Sequence, residues 1–182
     1  MKVIQTQFRG LCILEPKVFE DQRGYFMEAY SAQTLKDVGL EANFVQDNQS
    51  FSGANVVRGL HFQNAPYAHS KLIRVLSGTI LDIALDLRRD EPTFGKHFAM
   101  ELSSRDKKQL YIPKGFAHGF RVLEGDTTIF YKCDTYYYPQ SEGGILYNDP
   151  ALSIDWGISD DNVIVSEKDK KNPLLANATF NF

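Results

Sequence analysis

The chain has 182 residues, 43% hydrophobic and 13% aromatic, which supplies a real core within the size range of one domain. A formal charge of −3 and a pI near 5.8 exclude the broad basic field that general nucleic-acid or membrane-surface binding needs, so an anionic ligand must meet a local basic pocket. The two cysteines, Cys12 and Cys133, form no Cys-x-x-Cys pair, and neither a disulfide framework nor a zinc site is expected.

Residues 1–10 are polar with no apolar h-region, and no later stretch approaches the length of a membrane span. The protein is therefore read as soluble and cytoplasmic. In chain order, Ser31 is placed to cap a short helix over 32–38 that Gly39 ends. A strand over 71–76 leads through Ser77-Gly78, turn chemistry that predicts a hairpin with the next strand. That next run, 79–87, alternates so that Leu81, Ile83, Leu85 and Leu87 share a face.

Further strands are predicted over 97–102, 109–112, 120–123 and 127–133, with short polar or glycine-bearing connections. Short strands at this frequency predict a sandwich, jelly roll or barrel. The segment after Tyr138 is richer in turn residues and is expected to wrap the sheet, with a second helical turn from Ser166. No repeat or linker-like composition breaks the chain, and residues 1–182 are read as one domain.

Two of the four histidines stand in turn-bounded strand contexts, Arg58-Gly59-Leu60-His61-Phe62-Gln63 and Pro113-Lys114-Gly115-Phe116-Ala117-His118-Gly119-Phe120. An imidazole held on a scaffold is either a proton carrier or a metal ligand. The second segment resembles the second motif of the cupin superfamily, whose barrels often hold a metal. The first cupin motif would supply His-x-His and a Glu, but here His61-Phe62-Gln63 is followed by Lys71. Divalent metals want three or so imidazole or carboxylate ligands, and His61 and His118 alone do not meet that need. A barrel mouth with His61, Lys71 and His118 instead suits proton abstraction beside a carbonyl.

The linked motifs Asp21-Gln22-Arg23-Gly24-Tyr25-Phe26-Met27-Glu28, Phe44-Val45-Gln46-Asp47-Asn48-Gln49-Ser50 and Val57-Arg58-Gly59-Leu60-His61-Phe62-Gln63 carry a closer resemblance. So do Lys71-Leu72-Ile73-Arg74, Pro92-Thr93-Phe94-Gly95, residues 112–120, Tyr131-Lys132-Cys133, and Glu142-Gly143 with Tyr147-Asn148-Asp149-Pro150. Over nearly its whole length the chain resembles the dTDP-4-dehydrorhamnose 3,5-epimerases of dTDP-L-rhamnose biosynthesis. The resemblance implies an all-β, cupin-like jelly roll with a few short peripheral helices, no metal or other cofactor, and a homodimer that exchanges amino-terminal strands. It implies dTDP-4-dehydro-6-deoxy-D-glucose as the substrate, inverted at C3 and C5.

Residue by residue, the resemblance makes His61 the general base, Asp169 its carboxylate partner, Lys71 the cation near the C4 oxygen, and Tyr131 the donor that returns a proton from the opposite face. Each has a plainer alternative. Ser166-Glu167-Lys168-Asp169 also reads as a capping box, Lys71 as a solvated residue at a strand start, and Tyr131 as packing in an aromatic-rich strand. Arg23 and Arg58 match nucleotide-contacting arginines, guanidinium being suited to diphosphate, and Lys168 is expected to assist them. Glu28, Gln46, Asp47, Asn48, His118 and Glu142 match further substrate contacts, and Tyr137 the aromatic that stacks near the sugar. Ala68-His69-Ser70 departs from the pattern, in which a glutamine and a small residue commonly precede the lysine. The other readings left open are a C3-only epimerase, a metal-dependent cupin oxygenase and a non-catalytic sugar-nucleotide binder.

Overall fold

The computed structural model describes residues 1–40 and 42–182, with Asp160 through its main chain. Its strands run β1 Lys2–Gln5, β2 Cys12–Glu15, β3 Val18–Asp21, β4 Gly24–Met27, β5 Gln46–Ser52, β6 Val57–Gln63 and β7 Lys71–Ser77. They continue as β8 Thr79–Asp86, β9 His97–Ser103, β10 Gln109–Ile112, β11 Phe116–Val122, β12 Thr127–Cys133 and β13 Glu142–Gly144. A six-stranded sheet in the order β1-β2-β10-β7-β12-β5 faces a five-stranded sheet in the order β13-β6-β11-β8-β9, and β3 with β4 forms a separate hairpin. All these strand pairings are antiparallel, giving a cupin-like jelly roll.

The helix α1, Ala32–Asp37, forms where the sequence places it: Ser31 Oγ accepts from the Thr34 amide and Gly39 takes a left-handed φ of 83° beyond it. From Ser166, the predicted turn is a 3₁₀ turn over Asp169–Lys171. The predicted hairpin across Ser77-Gly78 does not form. β7 pairs with β10 and β12, whereas β8 pairs with β11 and β9, so the turn carries the chain from one sheet to the other. Gly78 makes the sharp passage possible: φ is 83°, and a Cβ would lie 2.1 Å from Thr127 Oγ1. Turn residues signal a reversal but not which strands pair after it.

Two apolar layers hold the roll. Between the sheets, Ile73, Val75 and Ile129 meet Ile80, Leu102, Phe120 and Val122. On the outer face of the five-stranded sheet, Ile83, Leu85 and Leu87 pack under Ile145, Tyr147, Leu152, Trp156, Val165 and Phe180 of the carboxy-terminal segment, which wraps the sheet as expected. The alternating leucine face of β8 thus looks outward to that wrap. The other face of the strand carries the fully buried Asp82 into the roll.

The register of β6 against β11 slips by one residue, His118 facing His61 but Phe120 facing Arg58. The extra residue in β6 switches the side-chain alternation, so that Val57, Leu60 and Phe62 all join the outer layer while Arg58 and His61 fall together on the other side. Gly59 occupies the slip, with φ 125° and a Cβ that would lie 2.5 Å from Gly119 Cα. Gly59→Ala is therefore expected to lower the unfolding free energy by about 3 kcal/mol, read as a fall in the urea midpoint; an unchanged midpoint would refute this account of the slip.

Candidate active site

The imidazole of His61 rises from β6 of the five-stranded sheet, and its Nε2 lies 2.6 Å from Asp169 Oδ1. The other carboxylate oxygen accepts the Gly59 amide at 3.2 Å, and the Asp169 amide donates to Ser166 Oγ at 3.1 Å. Half of the expected capping box is thus real: Ser166 caps the turn, while the Asp169 carboxylate turns away to the histidine. Burial drives the Asp169 carboxyl upward, but the His61 hydrogen bond and charge, with the Gly59 amide, outweigh it and leave the pKa below its ordinary value. With an ionised carboxylate on Nε2, that nitrogen carries the hydrogen and Nδ1 is left as the basic one.

Facing this pair, the six-stranded sheet supplies Tyr131 and Lys71. In register, Tyr131 stands between Asn48 and Ile73, and Cys133 between Gln46 and Lys71. Lys71 Nζ lies 5.9 Å from the centre of the Tyr131 ring. Burial lowers the Lys71 pKa against the opposing pull of Cys133, Asp82 and Glu142. Burial likewise raises that of Tyr131, so the phenol keeps its proton at neutral pH.

His61, Lys71, Tyr131, Gln46, Asn48, Tyr137 and Glu142 line one pocket of about 200 Å³. At its rim Glu142 Oε2 accepts from Lys168 Nζ at 2.6 Å and from Tyr137 Oη at 2.8 Å. Burial raises the Glu142 pKa, but these two hydrogen bonds and the lysine charge bring it below the ordinary value. A second depression of about 400 Å³ shares His61 with this pocket and is lined also by Asp169, Arg58 and Lys168. Arg58 is held there by Ser52 Oγ at 3.0 Å and the Phe51 carbonyl at 3.3 Å.

Other expected site residues lie elsewhere. Asp47 points to the opposite face of β5 from Gln46 and Asn48, as strand alternation requires, and pairs with Lys132 at 2.8 Å. Arg23 is on the exposed β3–β4 hairpin, paired with Asp21, and Glu28 accepts from Thr34 Oγ1 at 2.7 Å. Neither lines the His61 pocket of its own chain. His118 is buried beside His61, its Nε2 3.0 Å from Asp82 Oδ2, and burial lowers its pKa against the pull of that carboxylate.

The pocket wall also includes His69, Cys133 and Thr135, to which no role was given. Alternation along β12 puts Cys133 on the Tyr131 face, whereas His69 and Thr135 lie just outside the strands and carry no such signal. Among the described residues, no group of three His, Cys, Asp or Glu side chains stands where it could hold a metal ion.

A carboxylate-backed imidazole facing a protonated phenol and a desolvated lysine across a jelly-roll mouth defines an acid–base isomerase of cupin-like fold. A family model described as dTDP-4-dehydrorhamnose 3,5-epimerase matches residues 5–177. The Salmonella typhimurium dTDP-4-dehydrorhamnose 3,5-epimerase is 48% identical over 179 residues, covering 98% of this chain and 97% of that protein. The crystal structure of dTDP-4-dehydrorhamnose 3,5-epimerase from Elizabethkingia anophelis NUHP1 superimposes with a TM-score of 0.93 at 47% identity, over 97% of each chain. That of dTDP-6-deoxy-D-glucose-3,5-epimerase from Legionella pneumophila Philadelphia 1, in complex with dTDP-4-keto-L-rhamnose, gives 0.92 at 44%, over 97% of this chain and 93% of the other. The chain belongs to the dTDP-4-dehydrorhamnose 3,5-epimerase family.

Because the folded pKa of Asp169 is depressed, its contribution to stability is present above the ordinary carboxylate range and is lost as pH falls through the folded value. Asp169→Asn should therefore be less stable than wild type near pH 7, with the difference shrinking toward pH 2. Urea midpoints across that span check this, and a difference independent of pH would count against the ionised pair.

Proposed function

We propose that this chain inverts C3 and C5 of dTDP-4-dehydro-6-deoxy-D-glucose to give dTDP-4-dehydro-L-rhamnose by proton abstraction and opposite-face reprotonation through an enolate, without a cofactor. The observation that carries this is the division of acid and base between two sheets, with the His61–Asp169 pair on one side of the pocket and Tyr131 with Lys71 on the other. One base alone can return a proton only to the face from which it took it. Inversion needs a donor on the opposite face.

In this reading His61 Nδ1 removes the proton at C3 or C5, each made acidic by the C4 ketone. Asp169 stabilises the imidazolium that results. The negative charge moves to the C4 oxygen, where the Lys71 ammonium stabilises it. Tyr131 Oη then protonates the carbon from the far side; His61 gives up its proton to water and the Tyr131 phenolate regains one from water before the cycle repeats at the second carbon. Arg58 and Lys168 take the diphosphate in the adjoining depression. Gln46, Asn48 and Glu142 bind polar edges of the nucleotide and sugar, and Tyr137 covers the sugar.

Arg23 and Glu28 reach a site only if the hairpin enters that of a second copy. A homodimer is further supported by the exposure of Phe19, Tyr25 and Phe26, 53%, 55% and 70% accessible in the single chain. A cytoplasmic location belongs to the same reading, and no described helix is long and apolar enough to cross a membrane. Sedimentation equilibrium should give twice the chain mass of 20.7 kDa. Phe26→Asp should shift the protein to monomer and reduce turnover; a fully active monomer would refute the exchanged arrangement.

The reaction is tested by incubating substrate in deuterated water and reading C3 and C5 by NMR. Deuterium at both carbons is expected, and incorporation at C3 alone would replace this reading with a C3-only epimerase. His61→Asn should lose about 10³-fold or more in turnover while still binding dTDP. Lys71→Met should lose about 10²-fold with nucleotide affinity little changed. No incorporation by wild type, with or without EDTA, would sink the epimerase reading.

A further inference from the structure

His69 has no part in the steps above, yet it lines the same pocket as His61, Lys71 and Tyr131. It stands two residues before Lys71, in the segment that leads into β7. Both of its ring nitrogens are buried, and neither makes a hydrogen bond to a described protein group. The backbone around it is braced. The Ser70 amide donates to Asp134 Oδ1 at 2.6 Å, the Asp134 amide to the Ser70 carbonyl at 3.3 Å, and Thr135 Oγ1 to the Ala68 carbonyl at 3.3 Å. A buried imidazole on a braced backbone, with its polar atoms unpaired, carries a desolvation penalty that a bound ligand can remove.

The same placement sets its protonation. Burial first, then the charges of Lys71, His118 and Lys114, push the pKa down to about 3, so at neutral pH the ring is uncharged, with one donor and one acceptor nitrogen. It cannot compete with His61 as the carrier of a substrate proton, because the neighbouring ammonium resists its charging. It can donate a hydrogen bond without losing a proton, as an electrophile beside a cation should.

We propose that His69 is a second electrophile for the sugar C4 oxygen: its N–H donates, alongside the Lys71 ammonium, to the oxygen that bears the enolate charge. No proton leaves His69 in the cycle; the one removed goes to His61 and the one returned comes from Tyr131. The inference rests on the epimerase reading of the site and adds to it a group that discriminates enolate from ketone.

The test compares the full-length wild type with His69→Leu and His69→Gln in kcat, KM, dTDP affinity by calorimetry and urea midpoint. His69→Leu should lose about 10- to 100-fold in kcat, with KM and dTDP affinity within about threefold. Its urea midpoint should match or exceed wild type, because an unpaired buried polar ring has been replaced by an apolar side chain. His69→Gln, which keeps an N–H donor, should retain kcat within about threefold. If leucine does not pack there, His69→Met carries the same test. The proposal is overturned by a wild-type kcat in the Leu variant, by a change in KM alone, or by a Gln variant as impaired as the Leu one. Should wild type turn nothing over and take up no deuterium, the epimerase reading falls and takes this inference with it; an active wild type beside an equally active Leu variant overturns the inference alone.

Discussion

The carboxylate of Asp169 is the point through which the site and the fold depend on each other. It is 3% exposed and would be costly to bury as an isolated charge. It stays ionised because the His61 ring and the Gly59 amide both donate to it. Those donors exist only because β6 slips at Gly59, turning one amide outward and bringing His61 to the mouth of the roll. The 3₁₀ turn that carries Asp169 is in turn held down by the carboxy-terminal wrap over the five-stranded sheet. Removing the carboxylate would leave an amide unpaired in the strand and the histidine free to change tautomer.

The jelly roll solves a geometric problem that a single sheet could not. A base and an acid that must act on opposite faces of one carbon need supports on opposite sides of a narrow gap. The two sheets provide them, with His61 on β6 and Tyr131 on β12. Burial then prepares each group for its task. It keeps the phenol protonated and places Lys71 where charge is poorly screened, so that an enolate forming beside it favours the charged lysine and gains more from it than from a solvated one.

Much of this was legible in the chain. Strands 109–112 and 127–133 fall where alternation puts them, and the Ser31 cap and Gly39 stop bracket the helix. The linked motifs identify the family and name His61, Lys71, Tyr131 and Asp169 as candidates, which the structure brings to one pocket or its adjoining wall. The differences share a cause. The Ser77-Gly78 turn predicts a hairpin because local chemistry marks a reversal without specifying partners. The motif is contiguous and sets Asp47 with Gln46 and Asn48, although alternate residues of a strand face opposite ways. His69 and Cys133 join the pocket wall through the packing of the strands, which the local sequence does not specify.

The sequence by itself determined the fold class, the family and the types of group present, since these depend on local periodicity and on contiguous motifs. Tertiary structure decided which groups meet. His61 and Asp169 are 108 positions apart with no signal of their 2.6 Å contact, and two adjacent runs near residue 78 separate into different sheets. It also decided their protonation, because a pKa depends on burial and neighbouring charge, and both come from parts of the chain far away in sequence.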